Sequence, residues 1–200
     1  ETRRHGFTFL EEILAGGVEL EYGQLADGLI HKYKLLNVGA SRLDGFLQGH
    51  VAGDYNVCGY FSENGNNLCC FNVDDNLRSH DYQVSTEPML EVRLGMDALL
   101  ATLNDLGLTP LVVLSGRGYH VWLRFREVVA NPELYKFSIR VAARALAVLH
   151  PAGADYRRIK IGVYPHPEII HTGSLRLFGS KHVRSGVFTH VLRDGHLLSE

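Results

Sequence analysis

Polar side chains able to do chemistry gather at a few stations between apolar runs. The first is Ser115-Gly116-Arg117-Gly118-Tyr119-His120. Leu111-Val112-Val113-Leu114 before it and Tyr119 to Phe125 after it read as strands, so Ser-Gly-Arg-Gly is the turn of a hairpin. Strand alternation places His120, Trp122 and Arg124 on one face and Tyr119, Val121, Leu123 and Phe125 on the other. The second face is core. The first carries an imidazole and a guanidinium beside a glycine-rich turn whose peptide N–H groups can meet an anion, an arrangement suited to phosphate.

The second station is Asn72-Val73-Asp74-Asp75-Asn76, at the end of an apolar run. Asn72, Asp74 and Asn76 share one parity, while Val73 and Asp75 share the other. Hard oxygen donors on one strand face are what Mg²⁺ or Mn²⁺ takes, with substrate phosphates completing the shell. A strand running out into a polar turn would leave the same pattern. Asp155 by itself is an ordinary surface aspartate, and Ser174-Leu175-Arg176-Leu177-Phe178-Gly179-Ser180-Lys181-His182 reads equally as a basic hairpin.

The elements that must position these stations are legible in outline. The first fifty residues are expected to be mostly helical, from Phe9, Leu10, Ile13 and Leu14 and again from Leu25, Leu29, Ile30 and Tyr33. Asn56 to Ser62 and Leu68 to Asp74 are expected strands about the turn Glu63-Asn64-Gly65-Asn66. Thr86 and Pro88 open a helix stopped by Gly107, and Asn131-Pro132-Glu133 opens another ended by Pro151. Tyr164-Pro165-His166-Pro167 reads as loop, and strands follow around Leu175–Leu177 and Val187–Leu192. Strands interleaved with helices predict an α+β fold with a mostly antiparallel sheet. Residues 1–45 are expected to form a helical N-terminal region and 46–200 the core, within one compact domain.

Composition narrows the classes. The 200 residues are 46% hydrophobic, enough for one sizeable core, and the net charge of −2 excludes a globally basic surface. A nucleic-acid partner must then be held by a local cluster. No apolar run approaches a membrane span, so no membrane partner is expected. Three cysteines, two of them adjacent, do not make a disulfide framework, which points to a cytoplasmic setting. His50, Cys58, Cys69, Cys70 and His80 show no Cys-x₂-Cys pair, and structural zinc is not expected. The chain opens on Glu1 rather than Met, so it is expected to be a processed protein or a piece of a longer one.

Taken together, these stations resemble the catalytic domain of the archaeo-eukaryotic primase superfamily. That superfamily shows a strand ending in Asp-x-Asp, then Ser-Gly-x-Gly-x-His, then a downstream Asp trailed by a basic stretch ending in Ser-x-His. Ser115, Gly116, Gly118 and His120 meet the second motif in full. The third resembles Asp155 followed by Arg176, Ser180 and His182, with Gly186 and Phe188 beyond. The resemblance covers roughly residues 45 to 192. The first motif departs from the family. Either Asp74 is its first acid with Asn76 in place of the second, or Asp74 is the second with Asn72 in place of the first. The apolar lead-in Phe71-Asn72-Val73 favours the former register.

The resemblance implies an RRM-like primase core and template-directed nucleotidyl transfer, in which a primase or primase-polymerase makes or extends primers on single-stranded DNA. Asp74 and Asp155, with Asn76 or Asn72, would hold Mg²⁺ or Mn²⁺. Ser115, Gly116, Arg117, Gly118 and His120 would grip the nucleoside triphosphate, with Arg176, Ser180 and His182 opposite. Arg157, Arg158, Lys160, Lys181 and Arg184 are candidates for the template backbone, and Tyr156 or Tyr164 for base stacking. A helicase or other replication domain in the same chain or complex is the expected partner. The rival reading keeps the fold and drops the chemistry, leaving a degenerate primase-like domain that binds nucleotide or single strands. A nicking initiator would need a Tyr nucleophile beside paired histidines, and Tyr164-Pro165-His166 falls short of that.

Overall fold

The structure, a computed structural model, describes residues 18–22, 31–35, 40–76, 88–150, 155–168, 173–179, 188–193 and 196–197. In chain order the elements are β1 (Val18–Tyr22), β2 (His31–Leu35), α1 (Ala40–Ala52), β3 (Asn56–Tyr60), β4 (Asn66–Asp75) and α2 (Leu90–Asp105). They continue with β5 (Leu111–Leu114), β6 (Tyr119–Val129), α3 (Asn131–Leu149), a 3₁₀ turn at Tyr156–Arg158, β7 (Ile159–Tyr164), β8 (Ser174–Arg176), β9 (His190–Arg193) and β10 (His196–Leu197). Two antiparallel sheets form, one ordered β2-β1-β3-β8 and the other β10-β9-β5-β6-β4-β7. The α+β, antiparallel expectation holds.

Strand β4 lies between β6 and β7, and its run Leu68-Cys69-Cys70-Phe71 is buried throughout because both of its faces are covered. Cys69, Phe71 and Val73 face the helices, against Val92, Leu99 and Leu103 of α2 and Val141 and Ala145 of α3. Leu68 and Cys70 face the other way, into a second core with Trp122, Val57, Phe61, Leu175 and Leu177. That second core joins the two sheets. Gly95 lets α2 lie close, since a Cβ there would stand 2.6 Å from the Ile159 side chain on β7.

Two expectations are corrected. Within the region expected to be helical, residues 18–22 and 31–35 are strands, paired with each other and, through β1, with β3. The apolar residues at 18, 20 and 22 alternate with Glu19 and Glu21, a period-two signal that ladder pairing reinforces over the helical spacing. The spacing at Leu25, Leu29 and Ile30, like that at Phe9 to Leu14, lies outside the described residues. The Glu19 carboxylate then ties the sheet crosswise, accepting from the Tyr60 hydroxyl at 2.6 Å and the Ser174 hydroxyl at 2.9 Å. Burial, and next that carboxylate, push the Tyr60 phenol above its ordinary pKa. Second, Ile159–Tyr164 is a full strand where only a loop at Tyr164 was expected. Ile159, Ile161 and Val163 supply its alternation, and its position beside β4 decides what faces Asp74.

Candidate functional site

The Ser115–Gly118 turn is closed by a hydrogen bond from the Ser115 N–H to the Gly118 carbonyl at 2.8 Å. Gly116 takes φ +99°, which a side chain would strain. Gly118 is required for a different reason. A Cβ there would run into the Val73 carbonyl oxygen, so only glycine lets the turn lie against the end of β4. This close approach brings Arg117 to Asp74, with Nη2 at 3.3 Å from Oδ2. The other carboxylate oxygen, Oδ1, accepts the Asp75 N–H at 2.9 Å and so fixes the group's orientation.

Cross-strand register builds the rest of this face. On β4, Asn72 stands opposite His120 of β6 and Gly162 of β7, and Asp74 stands opposite Lys160. Directly opposed residues project to the same side of a sheet, so Asn72, Asp74, His120 and Lys160 share one face. Below them His120 meets the edge of Trp122 at a centroid distance of 6.4 Å. Trp122 stacks on Phe61, and Phe61 stacks on Tyr164. Tyr164, a candidate for base stacking, thus lies against Phe61 in the core between the sheets.

The two amides of the first motif lie in different settings. Asn72 and Asp74 flank the buried Val73 within the ladder. Asn76 lies just past it, its backbone N–H bonded to the Arg158 carbonyl at 2.7 Å and its side-chain amide to the Arg157 carbonyl at 3.0 Å. Asn72 is the amide that shares the ladder with Asp74, and the Asn76 amide is engaged by the chain before β7. Asp75 keeps its opposite parity because the β4–β7 register runs unbroken. Its side chain, 4% exposed, is paired with Arg158 at 3.3 Å, and the same guanidinium contacts the Met89 sulfur. Arg158, expected on the nucleic-acid backbone, is turned inward to that carboxylate.

The third expected acid, Asp155, lies ahead of β7. Asp155 is exposed, precedes the ladder and pairs with its near neighbour Arg157 at 3.1 Å. The cross-strand neighbour of Asp74 is instead Lys160, a residue that sequence reasoning had assigned only to template contacts. The Ile-x-Ile-x-Val alternation after Arg158 could have revealed the strand, though not its register. Arg176 lies on β8 opposite Cys58, between Leu175 and Leu177, which face the inter-sheet core. Alternation turns Arg176 to the other face of its sheet, where its charge lies close enough to His50 to oppose that ring's protonation. Ser180, His182, Lys181 and Arg184 lie outside the described residues.

The divalent metal that the resemblance implies does not fit the donors present. Two close cations need several carboxylates to offset their repulsion. Here the Asp74 carboxylate is paired with Arg117 and stands across the ladder from Lys160, and among the described residues no group of three or more His, Cys, Asp and Glu side chains comes together to hold a metal. His50 has both ring nitrogens in protein hydrogen bonds, Cys58, Cys69 and Cys70 are separately buried thiols, and His80 lies outside the described residues. His166 is engaged with the Tyr135 hydroxyl at 3.2 Å.

No protein-family model matches the chain, and a comparison with curated proteins found no match. Solved structures do match. The polymerase domain of Mycobacterium tuberculosis Ligase D, determined in complex with DNA, superposes with a TM-score of 0.58 at 14% identity, covering 90% of this chain and 74% of that one. The archaeo-eukaryotic primase domain of the cyanophage S-2L primase-polymerase gives 0.46 at 14% identity, covering 98% and 92%. On the first of these the chain shares the fold of that polymerase domain. Among the described residues, no helix is long and apolar enough to cross a membrane.

Proposed function

We propose that this chain is a primase-like nucleotide-binding domain, which holds the phosphates of a nucleoside triphosphate or of a single strand at the β5–β6 turn without transferring nucleotidyl groups. The observation that carries the reading is the environment of Asp74, paired with Arg117 and opposed by Lys160, with Asp75 and Asp155 engaged elsewhere. Nucleotidyl transfer is positioning plus electrostatic stabilisation of developing charge. A lone neutralised carboxylate supplies the positioning of an anion and little of the metal-borne stabilisation. The central residues of the turn, Gly116 and Arg117, stand outside the ladder with N–H groups and a guanidinium able to meet phosphate oxygens. His120, buried behind them, offers an imidazole on the same face.

A working primase-polymerase is favoured by one observation, the Asn72 amide and Asp74 carboxylate flanking Val73 on the face of His120. Primer synthesis and extension on single-stranded DNA with Mg²⁺ and then Mn²⁺ separates the two. The parent should bind labelled nucleoside triphosphate and yield no product. Product from the parent that vanishes in Asp74→Ala would overturn the proposal and establish an enzyme.

A further inference from the structure

Asp74 sits where a phosphate-binding site would place its ligand. The hairpin turn brings Arg117 within 3.3 Å of Oδ2, and the β4–β7 register brings Lys160 directly opposite, on the same face. Side-chain exposures of 32% for Arg117 and 21% for Asp74 leave the pair reachable from solvent while part of it is desolvated. With Oδ1 fixed by the Asp75 N–H, Oδ2 is presented to the guanidinium. Two cations against one carboxylate leave this patch with a net positive charge in a chain whose formal total is −2. A divalent cation arriving here is repelled by both basic groups, whereas a phosphate is attracted by both.

We infer that Arg117 and Lys160 form a metal-independent phosphate site for which Asp74 is the resident counter-ion, a role displaced by the ligand's own phosphate. The inference rests on the nucleotide-binding reading and deepens it. Before a ligand binds, the Asp74 carboxylate holds Arg117 in position. Once it binds, a phosphate presents two oxygens to the guanidinium fork, and Lys160 adds a point charge beside it. Asp74 then opposes binding through its own negative charge. A metal ligand would do the reverse, since its removal would weaken a triphosphate bound with its ion. The sign of the Asp74→Asn effect therefore separates the two roles.

The test is equilibrium titration of the parent and of Asp74→Asn, Lys160→Ala and Arg117→Ala, each checked for folding by its melting curve. The probes are inorganic triphosphate, ATP and a single-stranded thymidine oligonucleotide, each in EDTA and again with excess MnCl₂. The parent should bind in EDTA. Asp74→Asn should tighten that binding about three- to tenfold, and Lys160→Ala and Arg117→Ala should each weaken it by a similar factor, as partly exposed charge interactions do. Binding of triphosphate and ATP assigns the phosphate to a free nucleotide, and binding of the oligonucleotide alone assigns it to a nucleic-acid backbone. Both support the site. Binding that appears only with Mn²⁺ and is lost in Asp74→Asn overturns the counter-ion role while nucleotide binding stands. A folded parent that takes none of the probes in either condition overturns the nucleotide-binding reading itself.

Discussion

His50 holds one neutral tautomer because its two ring nitrogens face opposite partners. Nδ1 accepts the Val57 N–H at 2.8 Å, so the ring proton sits on Nε2 and is donated to the Phe178 carbonyl at 3.0 Å. The ring thus joins α1 to β3 and to the chain just after β8. Burial lowers its pKa below the ordinary 6.5, the Phe178 carbonyl works against that shift, and the charge of Arg176 adds to it. Since the folded ring is the harder one to protonate, the unfolded chain binds more protons once the pH falls below about 6.5. Stability from this group is present above that pH and is lost as the pH drops through and below it. Chemical denaturation from pH 8 to 5 should show the parent losing stability more steeply below that point than His50→Gln, whose amide can still accept and donate. Parallel curves would assign the acid sensitivity to other groups.

At the scale of elements, the turn between β5 and β6 acts by where it lies as much as by what it carries. Gly118→Ala would set a methyl group against the Val73 carbonyl and lift the turn off β4. Such overpacking should cost about 1–3 kcal/mol in urea denaturation, and phosphate affinity should fall with it as Arg117 is carried away from Lys160, its partner in the phosphate site. A second glycine makes the control. Gly45 lies inside α1, and a methyl group added there would meet nothing within 4 Å. Gly45→Ala should therefore stabilise by about 0.5–1 kcal/mol through helix propensity alone. Equal effects at the two positions would remove the steric account of the turn. The hairpin was readable from sequence because turn chemistry and alternation are local. The parity that separates Asp74 from Asp75 was readable for the same reason. The pairing of Asp74 with Lys160 was not, because it depends on the register between two strands far apart in the chain.

Across the whole molecule, three thiols report on three compartments. Cys69 faces the helices and Cys70 the core between the sheets, while Cys58 lies on the opposite face of its sheet from Val57. Burial pushes the Cys69 thiol up to about 12 and the Cys70 thiol well above its ordinary value. Neither should react with a disulfide reagent in the native state at neutral pH. Because Val57, Leu175 and Leu177 share a core with Leu68, Cys70 and Trp122, the sheets should open together. Labelling under mild denaturant should then proceed for all three cysteines at one rate. Much faster labelling of Cys58 would mean that the four-stranded sheet opens by itself.

Whatever depends on neighbours along the chain was already set by the order of the amino acids. This includes the helices from Leu90 and Asn131, the β5–β6 hairpin with its glycines, the apolar and polar faces of β6, and the likeness of the Ser115–His120 stretch to a primase motif. Whatever depends on distant strands meeting was settled only by the packed fold. β1 and β2 became strands because β3 offered an edge to pair with. Asn72 shares the ladder with Asp74, and Asn76 lies beyond it, because the ladder ends at Asp75. Lys160 came to face Asp74 because β7 aligned with β4 in that register, and a shift of one residue would have turned every side chain of β7 to the opposite face. Local periodicity fixes which residues share a face of one strand. Only the packed sheet fixes which charges from different strands are brought together, and in this protein it pairs Asp74 with Arg117 and places Lys160 across the ladder from it.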